Sequence, residues 1–225
     1  MILLESAVLR DEARFEEVFS CLKGGGLLIY PTETVYGIGG ALSSSKATEK
    51  IFSIKSRAKD RPLFSIAYDL RQAESFADFR YQMEYKLFEL FGDKGLTVVL
   101  NSRPFVSSRV RGGASTIGIR LASTEFCRTL TELLAEPLTS TIANLSNTLV
   151  PSANECIPRK LSDVPESLME DVDYAIDGGE LPDHVPSTVI RVLDEDRIVL
   201  LREGVVSHDD IASLGVRVES AEAYR

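Results

Sequence analysis

The chain has no tryptophan, only two histidines and only three cysteines in 225 residues. Cys21, Cys127 and Cys156 stand far apart with no CxxC pair, a spacing that rules against a zinc site and against a disulfide framework. Cys21, within FEEVFSCLKGG, reads as a small core residue. Long apolar runs are missing as well: none approaches the roughly 20 residues that cross a bilayer, and the opening MILLESAVLRDEARF mixes acids with short apolar pairs, unlike a secretory leader. A cytoplasmic protein with no membrane partner is expected. Positive charge is scarce, with 25 Lys and Arg against 34 Asp and Glu and a net charge of −9. That balance counts against a general nucleic-acid binder, because counterion release from phosphates needs a positive surface; any RNA contact would have to come from a local basic patch.

What is present is ordinary globular composition, 44% hydrophobic and 26% charged, in a length that suits one sizeable core. No repeat, low-complexity tract or linker divides it, so residues 1–225 are expected to form a single domain. Periodicity and turn signals predict a strand over Ser6 to Leu9, a helix over Asp11 to Leu22, a strand over Leu27 to Tyr30 and a helix over Ser45 to Ile54 with cap candidates at Ser43 to Ser45. A strand over Leu63 to Ala67 and helices over Leu70 to Phe76 and Tyr81 to Phe91 follow, the last with Tyr85, Phe88, Leu90 and Phe91 as its buried positions. Strands are expected over Leu96 to Ser102, Thr116 to Leu121 and Leu138 to Ile142, with a helix over Phe126 to Leu134 between the last two. Beyond a loop from Leu145 to Lys160 come a short helix over Leu161 to Leu168, strands at Tyr174 to Ile176, Ser187 to Leu193 and Ile198 to Arg202, and a helix over Asp209 to Leu214. The DED turn makes the last two strands a hairpin, and Asn101 to Ala114 is the candidate mobile loop. Strands and helices mingle without strict alternation, which favours an α/β fold with a twisted mixed sheet flanked by helices over a doubly wound parallel one.

The chain is organised around Gly24 to Leu63. A short apolar strand runs into Pro31, which cannot donate to a sheet. Thr32, Glu33, Thr34 and Tyr36 follow on a segment closed by Gly37, Gly39 and Gly40. Lys55 and Arg57 then arrive together at the end of an amphipathic helix, two cations suited to polyphosphate. Hydroxyls, glycines and cations in one short span suggest an anionic ligand. Read alone, the same features also fit a surface loop and a solvated helix end that complements its dipole.

The string PTETVYGIG followed by KxRxxxxPL resembles the YrdC-like family, whose best-known members are the threonylcarbamoyl-AMP synthases of tRNA modification. TIGIR at Thr116 to Arg120, PLTSTIANLSN at Pro137 to Asn147, and IDGGELPDHVPSTVI with LLREGVVS extend the resemblance over residues 24–206 in order. It implies a single YrdC-like domain with a concave ligand site. The implied activity is that of a nucleotidyltransferase forming threonylcarbamoyl-AMP and pyrophosphate from L-threonine, bicarbonate and ATP, feeding downstream tRNA threonylcarbamoyl-transfer machinery. Mg²⁺ would be expected to share the phosphate charge, though no carboxylate cluster marks a protein metal site.

Residue by residue, the resemblance implies that Lys55 and Arg57 are catalytic cations on the phosphates. Thr34, Arg120, Thr141, Asn144 and Arg202 would join them in binding the nucleotide, and Thr32, Tyr36 and Ser187 would hold the threonine. Each has an ordinary alternative: Arg120 as a structural ion pair, Arg202 as a surface salt bridge, Asn144 as a loop cap, the hydroxyls as turn or core residues. The chain also departs from the pattern. Ile142 stands where a serine is expected, Gly92 to Thr97 replaces a WPGPLT turn, Ala58 replaces a proline and Asn147 a glycine. Pro151 to Asn154 spells PSAN in what should be a variable loop, and reads as a coincidence. Two other readings follow: a YciO-like paralogue with weak or altered activity, and a non-catalytic nucleotide- or RNA-binding module.

Overall fold

The computed structural model describes residues 1–145, 157–182 and 185–221. The strands are β1 (Ile2–Leu4), β2 (Leu28–Tyr30), β3 (Gly37–Gly39), β4 (Phe64–Ala67), β5 (Ala77–Asp78), β6 (Leu96–Ser102), β7 (Thr116–Leu121), β8 (Leu138–Ile142), β9 (Tyr174–Asp177), β10 (Thr188–Asp194), β11 (Arg197–Arg202) and β12 (Arg217–Ser220). The helices are α1 (Glu5–Arg10), α2 (Glu12–Lys23), α3 (Ser45–Ile54), α4 (Leu70–Phe76), α5 (Gln82–Phe91), α6 (Glu125–Leu134), α7 (Glu166–Asp171) and α8 (His208–Ala212).

One mixed sheet runs β1-β9-β2-β3-β8-β4-β7-β6-β10-β11-β12, with β5 pairing onto β6. Its middle is antiparallel, β2 to β3 to β8 to β4, while β4 with β7 and β6 with β10 are parallel. The expected hairpin of β10 and β11 is antiparallel. Alternate side chains of a strand point to opposite faces, and the core divides accordingly. Leu28 and Tyr30 of β2 join Val8 of α1, Val18 and Leu22 of α2, and Phe126 and Leu130 of α6. Ile29 joins Ile51 and Phe52 of α3, Leu87 and Phe88 of α5, and Ile211 of α8. Caps fix where the helices begin. The Asp11 carboxylate accepts from the N–H groups of Ala13 and Arg14, and Ser44 Oγ accepts from Ala47 N.

Several expectations are corrected. Ser6 to Leu9 is not a strand but the body of α1, with Glu5 and Arg10 placed to complement its dipole; a four-residue run with three consecutive apolar side chains carries too little periodicity to tell the two apart. In α5 the buried positions are Met83, Glu84, Leu87 and Phe88, whereas Leu90 is exposed and Tyr85 and Phe91 are half-buried. Leu161 to Leu168 divides at Pro165 into a single 3-10 turn (Leu161–Asp163) and α7. Cys21 is half-buried. The stretch from Asn101 to Ala114 is anchored: Val106 and Val110 are buried, and Leu63 N donates to Val110 O at 2.8 Å. Asn147, Pro151 to Asn154 and Cys156 lie outside the described residues.

Candidate active site

Pro31 ends β2, and the next turn is built by a hydroxyl. Thr32 Oγ1 accepts from the N–H groups of Thr34 and Val35, both at 3.2 Å, and donates to Val35 O at 2.7 Å. This closed turn doubles the chain back so that β3 runs antiparallel to β2. β3 must be glycine-rich because β8 lies close against it: a Cβ on Gly39 would fall 1.7 Å from Thr139 O. At Gly37 a Cβ would come within 3.2 Å of Ser140 Oγ, at the rim of a cleft.

The cleft holds about 680 Å³ with its open mouth included. Thr32 and Thr34 form one wall, the end of β8 with Thr141 and Asn144 another, and Arg57, Arg120, Ser187 and Arg202 reach in from four further segments. Eight of the residues marked by the sequence therefore share one hollow. Lys55 and Tyr36 do not line it. Lys55 is 2% exposed and lies behind the wall, its ammonium donating to Ile142 O at 2.8 Å, to Asn144 Oδ1 at 3.3 Å and to Asn144 O. Tyr36 points to the end of β9, where its hydroxyl donates to Gly179 O at 2.8 Å and accepts from Gly178 N at 2.9 Å. Burial pushes that phenol up to about 12.

The cations are held differently from one another. Arg120 Nη1 donates to Thr34 Oγ1 at 3.0 Å and lies 3.0 Å from Glu33 Oε1. Glu33 Oε1 has no aligned hydrogen-bond donor, so this pair is a charge contact rather than a directed bond. Arg120 is thus both the ion-paired residue and a cleft residue. Arg57 donates to the carbonyls of Arg61 at 3.3 Å and Pro62 at 2.8 Å, and no carboxylate among the described residues pairs with it. Arg202 clamps Ser187 through Nε and Nη2 to the carbonyl oxygen, at 3.0 and 2.8 Å, and lies 5.6 Å from the Phe64 ring centre. Burial pushes the Arg57 and Arg202 guanidiniums down to about 10, assisted by the neighbouring charges of Arg61 and Arg120 respectively. Cations desolvated in a cleft and held by carbonyl oxygens are arranged to receive an anion.

The sequence did not mark Phe64, Thr97 and Ser140, which also line the cleft. Each stands within an expected strand, where a hydroxyl or an aromatic ring is its only signal, and sheet register delivers it.

A family model described as "Telomere recombination", for Sua5, YciO and YrdC proteins, matches residues 20–204. The chain belongs to the Sua5/YciO/YrdC family. Among Sua5/YciO/YrdC relatives, the Pyrococcus abyssi protein named threonylcarbamoyl-AMP synthase is 33% identical over 190 residues, covering 84% of this chain and 54% of that protein. The Bacillus subtilis protein of the same name is 29% identical over 205 residues, 91% of this chain and 57% of that one. The chain therefore spans a little over half the length of these two, whereas it matches 93% of a Methanocaldococcus jannaschii relative at 30% identity. Among solved structures, Pyrococcus abyssi Sua5 complexed with L-threonine superposes with a TM-score of 0.83 at 29% identity, over 93% of this chain and 60% of that one. Escherichia coli YciO shares the fold, with a TM-score of 0.72 at 24% identity over 87% of this chain and 91% of that one.

Proposed function

We propose that this chain is an L-threonylcarbamoyladenylate synthase, a nucleotidyltransferase acting as a single domain, whose product serves tRNA threonylcarbamoyl-adenosine modification. One observation carries the reading: side chains scattered from Thr32 to Arg202 converge on one cationic cleft in a member of this family. The amino group of threonine and bicarbonate form N-carboxythreonine with loss of water. A carbamate oxygen then attacks the α-phosphorus of ATP, and the bond to the bridging oxygen of pyrophosphate breaks. Charge builds on the leaving oxygens, so fixed cations supply more of the catalysis than a protein nucleophile would.

In this assignment Arg57, Arg120 and Arg202 face the phosphates, with Thr34, Thr141 and Asn144 as hydrogen-bonding partners of the nucleotide. Thr32 and Ser187 hold the threonine. Lys55 acts from behind, fixing the end of β8 through the carbonyls of Ile142 and Asn144. Tyr36 acts at the β9 end rather than on the substrate. No group of three or more His, Cys, Asp or Glu side chains gathers among the described residues, and the Glu33 carboxylate is in contact with Arg120. The donors among the described residues do not fit a resident Mg²⁺ site, so the ion would arrive with the triphosphate. No helix among the described residues is long and apolar enough to cross a membrane.

A YciO-like paralogue with altered activity is the second reading, favoured by Ile142, which presents hydrocarbon to the cleft where a hydroxyl is expected. Pyrophosphate release that requires both threonine and bicarbonate supports the synthase. Release that ignores either co-substrate supports the paralogue, and nucleotide or RNA binding without release leaves only a binding module.

A further inference from the structure

Thr97 on β6 lies beside Ser187, which immediately precedes β10, where the two strands pair in parallel. Thr97 Oγ1 donates to Ser187 Oγ at 2.9 Å, and Arg202 Nη2 donates to the same oxygen at 3.0 Å. A serine hydroxyl has two acceptor lone pairs and one proton, and a guanidinium can only donate. With both lone pairs engaged, the Ser187 proton is the one valence left for a ligand, and Ser187 lines the cleft. Thr97 is 1% exposed and Ser187 5%, so neither oxygen can exchange this arrangement freely with bulk water.

We propose that Thr97 is a positioning residue: with Arg202 it fixes Ser187 as a hydrogen-bond donor into the cleft, and the group that Ser187 receives is the carboxylate of the amino-acid substrate. An anionic oxygen is selected because the donor lies next to a guanidinium, where charge-assisted bonds are stronger than neutral ones. A ligand that offers only donors there is rejected, since it leaves the buried hydroxyl proton unmatched. This inference rests on the synthase reading for the identity of the amino acid, and on the Thr97, Ser187 and Arg202 geometry for the polarity of the site.

The test compares Thr97→Val, which keeps shape and branching but removes the donor, with Thr97→Ser, which restores it, and with Ser187→Ala. L-threonine and L-threoninamide are titrated calorimetrically, and pyrophosphate release is followed in parallel. Thr97→Val should raise the Kd and KM for threonine about tenfold, the scale of one lost hydrogen bond in a buried polar site, with kcat changed much less and the preference for threonine over the amide reduced. Thr97→Ser should return both constants close to wild type. Adding Thr97→Val to Ser187→Ala should cost nothing further, because the two act as one unit. Unchanged threonine affinity in Thr97→Val, equal damage from Thr97→Ser, or additive losses in the double variant would each overturn the proposal. If Thr97→Val does not fold, Thr97→Ala is held to the same criteria. A wild-type protein that binds threonine without releasing pyrophosphate refutes the synthase reading alone, and the binding titrations still decide the role of Thr97. A wild-type protein that binds no threonine refutes both.

Discussion

Replacing Lys55 with methionine tests the wall of the cleft rather than its lining. The substitution keeps the length and packing of a side chain that is 2% exposed and removes the ammonium that donates to Ile142 O, Asn144 O and Asn144 Oδ1. Ile142 O keeps a second donor, Asn144 N at 2.8 Å, so the damage concentrates on Asn144. Two charge-assisted bonds at about 1.5–3 kcal/mol each set a gross loss of about 3–6 kcal/mol. Relief from burying a charge returns part of that. The net expectation is a loss of about 2–4 kcal/mol, which in a chain of this size lowers the thermal midpoint by about 5–15 °C. Calorimetric or circular-dichroism melting measures it, and the KM for ATP, followed in the same preparation below the lowered midpoint, should rise because Asn144 and Thr141 lose their fixed positions. A variant as stable as the wild type would show that the ammonium does not hold the end of β8. Normal stability with lost turnover would instead make Lys55 a direct phosphate contact.

Tyr36→Phe removes the acceptor for Gly178 N and the donor to Gly179 O, and should cost about 1–2 kcal/mol of stability with the threonine KM unchanged; a raised threonine KM at full stability would place Tyr36 on the substrate. Ile142→Ser should lower the Kd for ATP if the hydrocarbon merely occupies a hydroxyl position at the phosphates, and nucleotide titration that shows no gain means the cleft has been rebuilt around it. Burial holds the Arg57 and Arg202 guanidiniums at about 10. A base with a lowered pKa keeps its charge below that value and loses it above. The kcat/KM for ATP, which reports the free enzyme, should therefore hold from neutral pH and fall as pH rises through about 10, and a flat profile through that range with an intact circular-dichroism spectrum would refute it.

Much of the fold was legible because its signals are local. Ser44 caps α3, the glycines after Lys23 end α2, and the β-branched run LTVVLNS is β6 from end to end. What was illegible depends on partners distant in sequence. β3 is Gly-Ile-Gly, with no alternating pattern to read, and is a strand only because β2 and β8 pair with it from either side. β12 is a short edge strand of half-buried and exposed residues, held by its parallel pairing to β11. The site divides in the same way. Thr32, Thr34 and Arg57 lie in a compact string whose residue types suggest an anion, and Thr141 and Asn144 in one that resembles a family motif, whereas Thr97 and Phe64 reach the cleft through register alone. Lys55 and Tyr36 mark a further limit: a motif names a residue without saying which side of the wall its side chain takes, and here neither side chain lines the cleft.

A net charge of −9 and a cleft reached by three guanidiniums are compatible once distance is considered. At physiological salt, charges much more than about 8 Å apart are largely screened, so surface acids do little to weaken a phosphate in contact with Arg57 or Arg202. Arg202 is buried and Arg57 half-buried, so their interaction with an anion is stronger than it would be on an open surface. A long polyanion gains less from this, because its affinity depends on the number of phosphates neutralised and the chain as a whole carries a net charge of −9. In the proposed reaction a single nucleotide would bring its charge to the cleft itself, so the scarcity of basic residues elsewhere in the chain would favour a compact triphosphate over extended nucleic acid.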